Sequence, residues 1–136
     1  MVEKIFLDAE NQVMGRLASY AAKQALLGKE VAVVNSEKAI ISGNKKNVIQ
    51  VLKDKRRINS MKPEKGPFYS KDSEKIMKRC LRGMLPNWRN GRGKEAFKRI
   101  RCYKGVPTEF EKEKLTKLKI SVPAKAITVN ELSLRV

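Results

Sequence analysis

The stretch from residue 4 to residue 36 most constrains the fold. "KIFLDA" (4–9) has the apolar pattern of a short strand, and "EVAVVNS" (30–36) is a nearly continuous apolar run. A run of this kind is typical of a strand that is buried on both faces. Between them, "MGRLASYAAKQALLGKE" (14–30) predicts a helix of about 14 residues, because its Leu and Ala residues recur at helical spacing. A strand, a helix and a strand in about 30 residues predict a βαβ unit with parallel strands.

The apolar face of this first helix consists mostly of alanine. Leu17, Ala21 and Ala25 share one face, and Ala18, Ala22 and Leu26 lie beside them. Small side chains allow a helix to pack closely on a sheet. Gly28 is placed to end the helix, since a C-terminal glycine readily adopts the left-handed conformation.

The rest of the chain predicts further α/β elements in one domain, residues 1–136. Asn44 is expected to cap a second helix that ends near Arg57 and turns Val48, Ile49 and Leu52 inward. The other predicted elements are a strand at 39–44, an irregular excursion with two prolines at 59–72, a third helix at 73–85, a strand at 98–105, and a last strand at 126–132 with a short helical turn after Asn130. The expected fold class is α/β, with helices over a small, mainly parallel sheet.

Charge is concentrated in the middle of the chain. Residues 45–104 contain twenty basic and five acidic side chains, whereas residues 1–44 are neutral and residues 105–136 carry a net +2, which gives the total of +17. A binding surface concentrates charge in this way, and nucleic acid is the commonest partner, followed by an anionic membrane surface. No apolar run could span a bilayer and the N-terminus lacks a signal-peptide pattern, so a cytosolic location is expected.

The third predicted helix separates apolar from basic side chains. Six apolar residues share one half of its circumference: Ile76, Met77, Cys80, Leu81, Met84 and Leu85. Lys75, Lys78, Arg79 and Arg82 lie on the opposite side, where a row of cations without acidic partners is typical of a phosphate-binding surface. Leu81 is therefore expected in the core, and Arg79 is expected on the phosphate-binding face.

The following segment, "NWRNGRG" (87–93), is predicted to be a loop that leads towards the strand at 98–105. Gly91 and Gly93 would let its backbone approach another polymer closely, so a side chain at Gly93 is expected to impair binding of that polymer and to spare folding. Arg89 and Arg92 would bind phosphates on either side of this loop. Trp88 either covers the core or stacks on an unpaired base, and the same alternatives apply to Phe68 and Tyr69.

Residue types that common enzymes require are missing from this sequence. It has no His, no GxGxxG or GxxxxGK[ST] motif, and its acids within the basic region are scattered. Cys80 and Cys102 are expected to be buried thiols, and no metal site, cofactor or small-molecule substrate is expected. A small nuclease and a DNA-compacting protein remain alternatives to an RNA-binding structural protein.

Four segments in this order carry a family resemblance: "MGRLASYAAKQALLGKEVAVVNSEKAIISGNK" (14–45), "KGPFY" (65–69), "RGMLP" (82–86) and "GRGKEAFKRIRCYKGVP" (91–107). They resemble the thirteenth protein of the large ribosomal subunit in its archaeal and eukaryotic form. The archaeal form is expected, because the long C-terminal helical extension of eukaryotic members is not present. After residue 123 the match is loose.

The resemblance implies a three-layer α/β/α fold with a four-stranded, mostly parallel sheet. It also implies a structural and assembly role in the large subunit, with ribosomal RNA and neighbouring ribosomal proteins as partners and no homo-oligomer. Positions that fall within the basic and glycine motifs of the family are Arg16, Lys45, Arg82, Gly83, Arg92, Gly93 and Arg99. Together with the charge pattern, the predicted RNA-binding residues are Arg16, Lys45, Lys46, Arg56, Arg57, Lys65, Lys75, Arg79, Arg82, Trp88, Arg89, Gly91, Arg92, Gly93, Lys94, Arg99 and Arg101.

Overall fold

The computed structural model describes residues 1–58 and 63–136. The first four residues of the predicted excursion at 59–72 therefore lie outside the described residues. The strands are β1 (Lys4–Asp8), β2 (Glu30–Val34), β3 (Ile40–Ser42), β4 (Ile100–Cys102) and β5 (Ala126–Thr128). The helices are α1 (Met14–Leu26), α2 (Lys45–Arg57), α3 (Ser73–Gly83), α4 (Gly91–Arg99) and α5 (Val129–Arg135), and short 3-10 turns occur at Ser36–Lys38, Pro63–Lys65 and Thr108–Phe110.

The predicted βαβ unit is confirmed. Strands β1 and β2 are parallel neighbours, and α1 connects them. Helix α1 ends as predicted: Gly28 has a φ of 95°, its N–H donates to the Ala25 carbonyl, and the N–H of Lys29 donates to the Gln24 carbonyl. This pair of hydrogen bonds is the Schellman motif, which a residue other than glycine would strain. The buried face of α1 consists of Leu17, Ala18, Ala21, Ala22 and Ala25.

The main sheet has the order β1–β2–β4, and all of its pairs are parallel. Val31 lies between Ile5 and Ile100 in the register, so apolar side chains of three strands point to the same face. That face carries the hydrophobic core. Helices α1, α3 and α4 cover it with side chains that include Leu17, Met77, Leu81 and Ala96.

The predicted four-stranded sheet is matched only in part. Strand β3 pairs with β5 in a separate antiparallel sheet of two strands. Because β1 and β4 already occupy both edges of β2, β3 has no free edge there. The outer edge of β1 is extended by a single bridge between Leu7 and Thr116, in which the Thr116 N–H donates to the Phe6 carbonyl at 2.8 Å.

The second face of the main sheet is covered differently from the first. Phe6 on this face packs on Phe110 of a 3-10 turn, with 5.0 Å between the ring centroids, and Phe110 also contacts Tyr103 at 5.4 Å. Phe6 and Ala32 are half-buried here, whereas Val31 and Val33 on the helical face are buried. The α/β class and the mainly parallel sheet are confirmed, and the three-layer description fits in part.

Helix α2 has the predicted cap and a looser packing than predicted. The Asn44 side chain accepts a hydrogen bond from the Lys46 N–H at 3.1 Å, as expected of an N-cap. Val48 and Leu52 are only half-buried, however, and no residue of α2 is fully buried. The helix thus packs through partly covered side chains, and its cations other than Arg56 are exposed.

Along the described residues, every helix is too short or too polar to cross a membrane.

Candidate nucleic-acid interface

Helix α3 has the two faces that the sequence predicts, except that Met84, just after the end of the helix, is exposed. Met77 and Leu81 are fully buried, and Ile76 and Cys80 pack against the core from the side. The helix ends at Gly83, and Leu85 remains in the core just after it. Except for Lys78, the basic side chains of α3 lie away from the core, as expected for an amphipathic helix.

The segment after α3 differs from the prediction, because a helix replaces the end of the predicted loop and the start of the predicted strand. Gly91–Arg99 forms α4, and β4 is reduced to Ile100–Cys102. The buried residues Gly93, Ala96 and Ile100 are spaced at i, i+3 and i+7, which is a helical spacing. That spacing is the signal that the sequence interpretation missed, since the two glycines favoured a loop.

Gly93 is required because the protein's own backbone lies directly against it. The interpretation that its missing side chain makes room for RNA is therefore corrected. Gly93 is buried, and a Cβ atom added there would lie 1.5 Å from the carbonyl oxygen of Pro86 and 2.8 Å from that of Asn87. The first turn of α4 thus lies directly on the turn that follows α3. The expectation that substitution at Gly93 spares folding is therefore wrong.

Gly91 has a different role from Gly93. It is exposed and has a φ of 61°, and a Cβ atom added there would meet nothing within 4 Å. Its left-handed conformation at the start of α4 is what requires glycine.

Trp88 belongs to a cluster of rings and cations on the surface. Its ring lies 6.2 Å from that of Phe97, and the guanidinium carbons of Arg82 and Arg89 lie 4.7 and 5.1 Å from the Trp88 centroid. Trp88 is half-buried, so it neither fills the core nor stands free. Cation–π contacts hold the two arginines close to fixed positions beside the ring.

Lys78 departs from the exposed basic face to which the sequence assigned it. Its ammonium donates a hydrogen bond to the Ile100 carbonyl and lies 4.7 Å from the centre of the Phe97 ring. Burial lowers its pKa, since desolvation disfavours the charged form. Lys78 thus joins α3 to the sheet and is not part of the free basic surface.

Arg79 and Arg56 hold a segment that we call the strap, residues 67–70. Arg79 donates to the Phe68 carbonyl at 3.1 Å, and its guanidinium stacks on the Tyr69 ring at 3.6 Å. Arg56 donates to the Tyr69 carbonyl, also at 3.1 Å. Both arginines are half-buried, so the view of Arg79 as a side chain facing only RNA needs correction.

Three further predicted RNA-binding cations are bound within the protein. Arg99 donates to the Ala25 carbonyl at 3.2 Å and lies 3.7 Å from the Glu95 carboxylate. The ammonium of Lys75 lies 3.0 Å from the Asp72 carboxylate, and that of Lys45 lies 3.3 Å from the Glu131 carboxylate. Within the described part of residues 45–104, ion pairs occur at these three cations.

The remaining predicted cations are exposed, and none forms an ion pair with a described residue: Arg16, Lys46, Arg57, Lys65, Arg89, Arg92, Lys94 and Arg101. They are distributed over more than one surface. Arg101 lines a depression on the second face of the main sheet, together with Lys4 and Lys98. Arg92 lies near Met84 and α1, beside Lys23. Lys75, Arg79 and Arg82 converge on one groove with Phe68 and Phe97. The aromatic residue Phe97 of this groove was not among the predicted site residues.

The two cysteines are partly buried free thiols, in agreement with the prediction. Burial raises the pKa of Cys102 to about 12 and also raises that of Cys80. Within residues 1–58 and 63–136, no group of three or more His, Cys, Asp or Glu side chains is arranged to hold a metal ion.

Comparison with known families shows to which family this chain belongs. A family model described as "Ribosomal protein L13" matches residues 3–109. The chain belongs to the ribosomal protein L13 family. The predicted family resemblance is thereby confirmed, and the core elements from β1 to β4 all lie within the matched residues.

Archaeal members of the L13 family are similar over most of the chain. A protein of Methanopyrus kandleri named large ribosomal subunit protein uL13 is 50% identical over 105 residues, which are 77% of this chain and 64% of that protein. Proteins of the same name from Archaeoglobus fulgidus and Thermoplasma acidophilum are 40% and 41% identical over 93% of this chain and 83% and 93% of their own lengths. This chain thus spans less than two thirds of the Methanopyrus protein and most of the other two.

Proposed function

We propose that this chain is a structural constituent of the large ribosomal subunit that binds and stabilises large-subunit ribosomal RNA and supports subunit assembly. The observation that carries the proposal is the basic region. Residues 45–104 contain twenty basic side chains, and within the described part of this region three of them pair with a carboxylate. So many uncompensated cations on one domain are the electrostatic signature of a nucleic-acid partner. The name of the archaeal relatives supports the large subunit as the site of assembly.

Three arginines around Trp88 and the start of α4 are proposed as the principal phosphate ligands. Arg82 and Arg89 are held beside Trp88, and Arg92 is exposed in the first turn of α4. A guanidinium can bind phosphate through two parallel hydrogen bonds and can also stack on a base. Arg16, Lys46, Arg57, Lys65, Lys94 and Arg101 would add phosphate contacts from other surfaces, while Arg56 and Arg99 mainly shape the protein that presents them.

The role proposed here is structural, without a chemical step. The partners are large-subunit ribosomal RNA and neighbouring ribosomal proteins, and the protein acts as one domain and one copy in the cytoplasm. Its basic side chains neutralise phosphates that would otherwise repel one another where RNA segments meet.

Binding to a fragment of large-subunit RNA is expected to weaken steeply as salt increases. With about 6–10 phosphate contacts, each contact contributes about −0.7 to −0.9 to the slope of log K against log salt concentration. Arg92→Ala should reduce the slope by about one such contribution, whereas Lys29→Ala, whose ammonium pairs with Glu3 at 3.0 Å, should leave it unchanged. Filter binding or fluorescence anisotropy at several salt concentrations measures both slopes. A nearly flat salt response of the unmodified chain would exclude the mechanism.

A further inference from the structure

The groove between the strap and helices α3 and α4 combines an aromatic ring with converging cations. Its volume is about 300 Å³, which lies at the lower end of the range for small-ligand sites. Phe68 and Phe97 line it, and Lys75, Lys78, Arg79 and Arg82 contribute positive charge. None of the residues that line it is acidic. The groove therefore suits a ligand that is flat in one part and anionic in another.

Phe68 is fixed in position although its ring is free. The residue is 77% exposed, which is unusual for a phenylalanine in the interior of a chain. Its carbonyl accepts the hydrogen bond from Arg79, and the neighbouring Tyr69 is held by the Arg79 stack and by the Arg56 hydrogen bond. Three contacts thus immobilise the backbone that presents the ring. An aromatic ring on an immobilised backbone can stack on a base with little loss of conformational entropy.

The cations of the groove keep hydrogen-bonding capacity for an anion. A guanidinium has five N–H groups, and one N–H of Arg79 is used by the Phe68 carbonyl. The Arg82 guanidinium is positioned by Trp88 and has no carboxylate partner in the described chain. A phosphate that enters beside Phe68 would therefore meet donors of both arginines.

We propose that this groove binds a single unpaired nucleotide of RNA. The base stacks on the Phe68 ring, and its phosphate lies against Arg79 and Arg82. This inference rests on the proposed function and names one feature of the RNA that it binds: a base that is bulged out of a helix or located in a loop. RNA-binding proteins commonly recognise such bases by stacking them on aromatic side chains. An acidic protein segment would fit the charge of the groove, and it would have no need of Phe68 as a stacking surface.

The test compares two RNA hairpins that differ in one base. Both stems carry a single-nucleotide bulge, which is adenosine in one and an abasic residue in the other, so that the phosphates are equal in number. By fluorescence anisotropy, the unmodified chain should bind the adenosine hairpin about 5- to 150-fold more tightly, the range for stacking of one base on an aromatic side chain. Phe68→Ala should abolish this preference, and Phe68→Tyr should retain it.

Leu134→Ala is the matched control, because Leu134 in α5 is 79% exposed and lies outside the groove. It should keep the full preference. Equal binding of the two hairpins by the unmodified chain, or a preference that survives Phe68→Ala, would overturn the proposal and favour a protein segment as the occupant. A steep salt dependence would persist in either case, so failure of this inference is distinguishable from failure of the proposed function. Thermal unfolding monitored by circular dichroism shows whether each variant is folded.

Discussion

Gly93→Ala is expected to lower the free energy of unfolding by at least about 3 kcal/mol, at the upper end of the range for overpacked sites. The added Cβ atom would lie 1.5 Å from the Pro86 carbonyl oxygen, far inside van der Waals contact. The neighbour is backbone and not the end of a flexible side chain, so relief requires movement of α4 or of the turn before it. Urea unfolding monitored by circular dichroism measures the loss.

Gly15→Ala is the control for this variant. Gly15 lies in the first turn of α1, and a Cβ atom added there would meet nothing within 4 Å. Alanine in a helix is favoured over glycine by about 0.8–1.0 kcal/mol, so this variant should be as stable as the unmodified chain or slightly more stable. Equal stability of the two variants would mean that α4 does not approach the 86–87 backbone as closely as described.

Leu81→Ala is expected to lower the free energy of unfolding by about 2–5 kcal/mol, the usual range for a large-to-small change in a core. Leu81 is fully buried in the hydrophobic core. Arg79→Ala, two positions earlier on the same helix, should lower it by about 1–2 kcal/mol, because a charge-assisted hydrogen bond and a ring stack are lost. The sequence alone predicted less than about 0.5 kcal/mol for Arg79→Ala, the range for free surface residues.

Lys94→Ala is the control for this pair, since Lys94 is exposed in α4 and forms no ion pair with a described residue. Its stability should lie within about 0.5 kcal/mol of the unmodified chain. Urea unfolding of the three variants measures their free energies of unfolding and thus ranks their stabilities. A larger loss for Arg79→Ala than for Leu81→Ala would contradict the assignment of the two faces of α3.

The predictions from sequence succeeded where a local pattern determines the structure. The alanine face of α1, the capping side chain of Asn44 and the apolar face of α3 all follow from spacing along the chain, and all are confirmed. They failed where packing against another segment of the chain overrides the local pattern. Helix α4 was missed because Gly91 and Gly93 disfavour a helix locally, whereas packing of Gly93 on the Pro86 carbonyl stabilises it. The pairing of β3 with β5, and not with the main sheet, also depends on strands far apart in sequence.

The predictions for the candidate site also succeeded in one respect and failed in another. The charge pattern located the basic region, yet it could not separate cations that face solvent from those that bind the protein. Backbone carbonyls 11–74 positions away accept hydrogen bonds from Arg56, Arg79 and Arg99. The sequence pattern of acidic residues does not reveal such acceptors, because they belong to the backbone. Lys78 was misassigned for the same reason, since its acceptor is the carbonyl of Ile100.

Sedimentation of a native lysate of the source cells in a sucrose gradient tests the central claim most directly. With the ribosomal subunits dissociated and the gradient run at moderate salt, which removes loosely adsorbed basic proteins, the chain should migrate with the large subunit. An antibody against the chain and a probe for large-subunit RNA should peak in the same fractions. Recovery of the chain at the top of the gradient, or equally in both subunits, would contradict the account.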